Sequence, residues 1–126
     1  MDAAERAIEA LPSATREILL ERLEPGELVS HAVPAVGCVI ALTARRLILL
    51  REGSSFRPKS GIRDWPLGRG LTVRMGLVRR GTGSLAIVWE RDLTSVFVKV
   101  EHWDEALELA GAVRSRVRLD QVRSTR

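Results

Sequence analysis

A mainly β domain of the α+β class, framed by helices, is what the sequence predicts, on three observations. From Glu27 to Val100 apolar residues recur with a period of two, β-branched residues are enriched, and turn residues interrupt at short intervals. Before Glu27 and after Val100 the apolar spacing is that of a helix. The 126 residues suffice for one ordinary domain and are too few for two.

In chain order, Ala4, Ala7, Ile8 and Leu11 mark a first helical stretch that Pro12 interrupts. Ser13 is placed to cap a second, whose stripe is Ile18, Leu19 and Leu23 and which ends at Pro25-Gly26. Seven strands follow, over residues 27–33, 37–43, 46–52, 62–67, 70–79, 84–90 and 94–100. Turn signals between them include Pro34-Ala35-Val36-Gly37, Thr43-Ala44-Arg45, Gly81-Thr82-Gly83 and Arg91-Asp92. In the fifth strand Leu71, Val73, Met75 and Leu77 share one face; in the sixth Leu85, Ile87 and Trp89; in the seventh Val96, Val98 and Val100. Residues 38–42 and 47–50 are apolar on both faces, so their sheet needs a second cover, and the N-terminal helices are the obvious one. A last amphipathic helix carries Trp103, Leu107, Ala110, Val113 and Val117 on one stripe, with Glu105 and Glu108 early and Arg114, Arg116 and Arg118 late, as the helix dipole favours. The organisation is thus a helical segment over residues 1–22, a β domain with its closing helix over 23–119, and a frayed tail over 120–126.

Charge is uneven. Residues 1–30 sum to −4, residues 31–100 to +8, and residues 101–126 balance. Of 20 basic residues 18 are Arg, the better fork for phosphate or carboxylate. The single Cys38 excludes an internal disulfide and, lying in the run VGCVIAL, reads as a buried, inert thiol. The start, MDAAERAIEA, has neither the basic nor the apolar part of a secretory signal, so a cytoplasmic location is the expectation.

Several segments, taken in order, resemble the short bacterial pleckstrin-homology-like (PH-like) and GRAM-like domains. They are Leu23-Glu-Pro-Gly-Glu27 opening the first strand, Leu42-Thr43-Ala44-Arg45-Arg46 running on to Leu50, Pro66-Leu67, Gly83-Ser-Leu-Ala-Ile87, and Trp103 with Ala106-Leu107. The likeness spans residues 23–117, with one departure: Ala44 stands where many relatives carry Asp or Asn, which favours a tight turn. The resemblance implies a seven-stranded antiparallel barrel capped by the C-terminal helix. That is a scaffold rather than an activity, since such barrels bind phosphoinositides, peptides or other domains.

No catalytic motif is present, and none of the spacings suits a metal or cofactor. His31 and His102 are separated by the whole β region and read as surface residues; Glu90 and Asp92 read as an exposed hairpin charge pair. The expectation is a non-enzymatic module. The first hairpin, PAVG, lacks the cations with which lipid-binding relatives grip a headgroup. An alternative anion or lipid surface is the loop after the third strand, with Arg51, Arg57, Lys59 and Arg63 around Phe56. A second basic set is Arg45 and Arg46 with Arg79 and Arg80, if the fold joins their hairpins; salt bridges to Glu17, Glu21 or Glu24 would otherwise occupy them. Phe97 points away from Val96 and Val98, sharing an outer face with Ser95 and Lys99, and makes Phe97 and Lys99 a candidate interaction surface. The expected partner is a protein or a second copy of the chain, with an anionic membrane as the alternative. Nucleic acid is not expected, because the aromatics fall on core-type positions.

Overall fold

The computed structural model describes residues 3–51 and 61–124. Two helices, α1 (Ala3–Glu9) and α2 (Ser13–Arg22), precede seven strands: β1 (Val29–Ala35), β2 (Cys38–Thr43), β3 (Arg46–Arg51), β4 (Ile62–Pro66), β5 (Leu71–Arg79), β6 (Thr82–Trp89) and β7 (Asp92–Lys99). A 3-10 turn, Val100–His102, leads into α3 (Trp103–Ser124).

The strands form two antiparallel sheets, β1-β2-β3-β4 and β5-β6-β7. The expected closed barrel is not formed, because β4 and β5, though consecutive, are not hydrogen-bonded to each other. At one end β7 crosses the four-stranded sheet: Val36 N–H donates to the Phe97 carbonyl at 2.8 Å, and the Arg63 guanidinium reaches Thr94 Oγ1 at 2.9 Å. The sheets enclose the main core, built from Ile40, Leu42, Leu47, Leu49 and Trp65 on one side and Leu71, Val73, Leu85, Ile87 and Val98 on the other. The stripe of α3 that closes it is Ala106, Leu109, Ala110, Val113 and Val117. Leu107 lies off this stripe and is exposed, since the buried face steps through 106 and 109/110.

A second cluster lies on the other side of the four-stranded sheet. Val29, Val39, Ala41, Ile48 and Leu50 pack there against Leu11 and Leu19. The N-terminal helices are therefore the cover that the doubly apolar strands require.

Three details depart from the sequence reading, and a fourth, in β1, concerns faces that reading left unassigned. Pro12, not Ser13, occupies the cap position of α2; its carbonyl accepts from Arg16 N–H at 2.9 Å, which puts Ser13 already inside the helix. In β5, Gly76 and Leu77 face the single residue Ser84, since Met75 pairs with Leu85 and Val78 with Gly83. This bulge takes Leu77 off the core face and leaves it exposed. A second bulge, at Ser30, reverses the faces of β1, so Val29 enters the outer cluster and Val33 the inner core. Finally, α3 runs through Ser124 where a frayed tail was expected from residue 120, and residues 120–124 contain no Gly or Pro to stop it.

Candidate functional site

Of the first basic set, Phe56, Arg57 and Lys59 lie outside the described residues. Arg51 is exposed at the end of β3. Arg63, on β4, is held by its bond to Thr94 and by stacking 5.1 Å over the Trp65 ring.

The second basic set does not assemble. Trp103 at the start of α3 sits against Gly83, beside the Arg79-Arg80 hairpin, while Arg116 Nη1 donates to the Thr43 carbonyl, beside Arg45 and Arg46, at 2.7 Å. Thirteen residues of helix separate Trp103 from Arg116, roughly 20 Å at 1.5 Å per residue, so the two hairpins meet α3 at well-separated points. The fold itself uses Arg45 and Arg46. Arg45 pairs with Glu24 at 2.6 Å, and Arg46 reaches both oxygens of Glu27 (2.8 and 3.0 Å), Asp64 (2.7 Å) and the Arg22 carbonyl (2.6 Å).

Sequence reasoning missed Glu27, whose side chain is only 1% exposed. Pro25-Gly26 turn the chain, with Gly26 at φ 80° and Glu27 N–H on the Glu24 carbonyl. This aims the Glu27 carboxylate at Arg46, Thr43 Oγ1 (2.8 Å) and Glu24 N–H (3.0 Å). The hydrogen bonds from Arg46, outweighing the burial that opposes them, hold the carboxyl down at about 2. The same carboxylate pushes the Arg46 guanidinium above its ordinary value. Thr43 also holds the turn that Ala44 cannot: its Oγ1 accepts from the N–H groups of Arg45 and Arg46, both at 3.1 Å, so the turn needs no Asp or Asn at position 44. This network binds α2, β3 and β4 together and is structural.

The two histidines, expected on the surface and apart, line one cleft of about 490 Å³ between α1, β1 and the start of α3. Glu105 and Glu108 face it from α3, Arg6 from α1, and Ala32, Val33 and Leu11 floor it. Burial, then the nearby Arg116, lowers the His31 pKa, and Glu108 opposes them. Ser30 Oγ donates to the Leu42 carbonyl at 3.1 Å and meets His31 Nδ1 at 2.9 Å. The Ser30 hydroxyl thus bridges the Leu42 carbonyl and the His31 ring. His102 Nδ1 is 3.6 Å from Glu105 Oε2, longer than a hydrogen bond. Glu90 and Asp92 are exposed at the β6–β7 turn, where Glu90 takes a left-handed φ of 56°.

The outer face of the three-stranded sheet has no covering layer among the described residues. Phe97 is 54% and Leu77 76% exposed, with Ser84 and Thr82 between them and Arg79 alongside. Neither N-terminal helix reaches this side, because both lie on the far sheet. Lys99 is exposed on the same face.

No family model, curated protein or solved structure matches the chain. The firm description is therefore a mainly β fold of two antiparallel sheets with a C-terminal helix. No helix among the described residues is long and apolar enough to cross a membrane.

Proposed function

We propose that the chain is a non-catalytic binding module of PH-like design whose ligand is a protein. Support for the design is the order of elements, a four-stranded then a three-stranded meander followed by one closing helix. The observation that carries the binding reading is Phe97, a large aromatic left open on a sheet face whose counterpart in the other sheet is sealed by two helices. Around it Arg74, Arg79 and Lys99 occupy outward positions, and no acidic residue does. Two copies meeting face to face would oppose like charges, so the sheet suits an acidic foreign partner better than itself. Catalysis is left out of this reading because no motif of the sequence supplies a nucleophile with its base, or a metal site.

A photo-crosslinking residue at position 97 or at position 17, introduced in the native host, tests this. The reading expects a defined protein adduct from 97 and none from 17. Equal labelling at both positions would defeat it. Salt-sensitive binding to anionic vesicles that Phe97→Ser abolishes would reassign the face to a membrane.

A further inference from the structure

We infer that the cleft between α1, β1 and α3 binds a small zwitterion with an apolar body, in the form of a free α-amino acid with an apolar side chain. The inference goes beyond the protein-binding reading and does not depend on it, since Phe97 lies on the outer face of the other sheet.

Three observations converge on the cleft. First, its place and size suit a small molecule. β1 is an edge strand of the four-stranded sheet, α1 packs on it from the outer side and α3 closes the inner core, so the two helices straddle that edge and leave about 490 Å³ between them. Small-molecule sites span roughly 300–1,000 Å³ and combine an apolar lining with a few polar groups. Second, the walls carry opposite charges. Arg6 faces the cleft from α1, and Glu105 and Glu108, one helical turn apart, face it from α3. Among the described residues Arg6 and Glu108 make no ion pair, whereas the fold pairs Arg45 and Arg46 with carboxylates. His31 does not neutralise the carboxylates, because burial lowers its pKa and leaves it uncharged at neutral pH. Arg116, a further cation near His31, is held on the Thr43 carbonyl. Third, His102 Nδ1 is buried without a hydrogen-bond partner among the described residues, 3.6 Å from Glu105. Buried polar atoms are nearly always partnered, and one left open beside two carboxylates is a site that a bound polar group completes.

Between the charged walls lie Ala32 and Val33 of β1 and Leu11. A carboxylate drawn to the Arg6 fork and an ammonium drawn to Glu108 satisfy both helices, and an apolar side chain then covers the floor. One carbon bearing all three groups is an α-amino acid. A ligand with a single charge would leave one wall unpaired.

Isothermal titration calorimetry of the full chain with L-leucine, L-methionine and L-phenylalanine, followed by amide NMR, tests the inference. The expected result is saturable binding of at least one of them at about 1 mM or tighter, with shifts centred on residues 30–34 and 102–108. Glycine, and the decarboxylated amine and deaminated acid of the best binder, should each bind about tenfold more weakly or worse. Arg6→Gln and Glu108→Gln, both at exposed positions, should each weaken binding about tenfold or more, and circular dichroism confirms that the variants are folded. Saturable binding by none of the three amino acids overturns the inference. So does an amine or acid that binds as well as its parent amino acid, binding unchanged in both variants, or shifts centred elsewhere. None of these outcomes touches the adduct expected from position 97, so the protein-binding reading stands or falls separately.

Discussion

The two sheets of this protein solve the same problem in opposite ways. All six residues of β2 are buried, because the sheet they belong to has the main core on one face and α1 and α2 on the other. In β7, by contrast, Thr94, Val96 and Val98 are buried while Ser95, Phe97 and Lys99 are exposed. A sheet apolar on both faces must find its second cover within the chain, and here the helices and linker over residues 3–22 supply it. A sheet with alternating faces has no such need, so an aromatic on its open side calls for a separate explanation. Binding provides one.

Substitutions sharpen this contrast. Arg46→Ala should be the most damaging, since it strands the buried Glu27 carboxylate without its guanidinium; urea denaturation is expected to show a loss of about 3–5 kcal/mol. Leu19→Ala, which hollows the cluster under the helical cover, should cost about 3 kcal/mol by the same measurement, and Leu19 is fully buried there. Acid should act through Glu27. Its folded pKa of about 2 lies below the ordinary 4.5, so its contribution is complete above pH 4.5 and disappears as pH falls toward 2. The expected loss over that window is about 2–3 kcal/mol, and in Glu27→Gln the corresponding slope should be absent. Gly83→Ala should cost about 1–3 kcal/mol, because a Cβ there would run into the Trp103 ring and lift the start of α3. Phe97→Ser, on the open face, should change stability by less than about 0.5 kcal/mol. A large loss on Phe97→Ser, or a negligible one on Leu19→Ala, would break the distinction between the sheets.

Most of the architecture was legible because it rests on local periodicity. Seven strands, a split N-terminal helix and a closing helix all follow from apolar spacing, and the doubly apolar run at 38–50 even called for the helical cover. The bulges were not legible. An extra residue at Ser30 or Gly76-Leu77 leaves the composition of a strand unchanged while reversing which side chains face inward. Nor was the polar network, since Glu27 and Arg46 meet only after the first hairpin closes. The same limit applies to the cleft. His31 and His102 share it because α3 returns across β1, which also brings Glu108 to the cleft that Arg6 lines. Arg45, Arg46, Arg79 and Arg80 teach the converse: residues matched in type lie on hairpins that meet α3 roughly 20 Å apart.

Native-state hydrogen exchange bears most directly on the asymmetry between a sealed and an open sheet. Amides of Val39–Leu42 and Leu47–Leu50 should exchange only on global unfolding, while those on the free edge of β5, between Leu71 and Met75, should exchange through much smaller openings. Slow exchange along β5 equal to that of β2 would mean that its edge is already covered. Fast exchange in β2 would mean that the helices do not seal the first sheet, and either result would contradict the account.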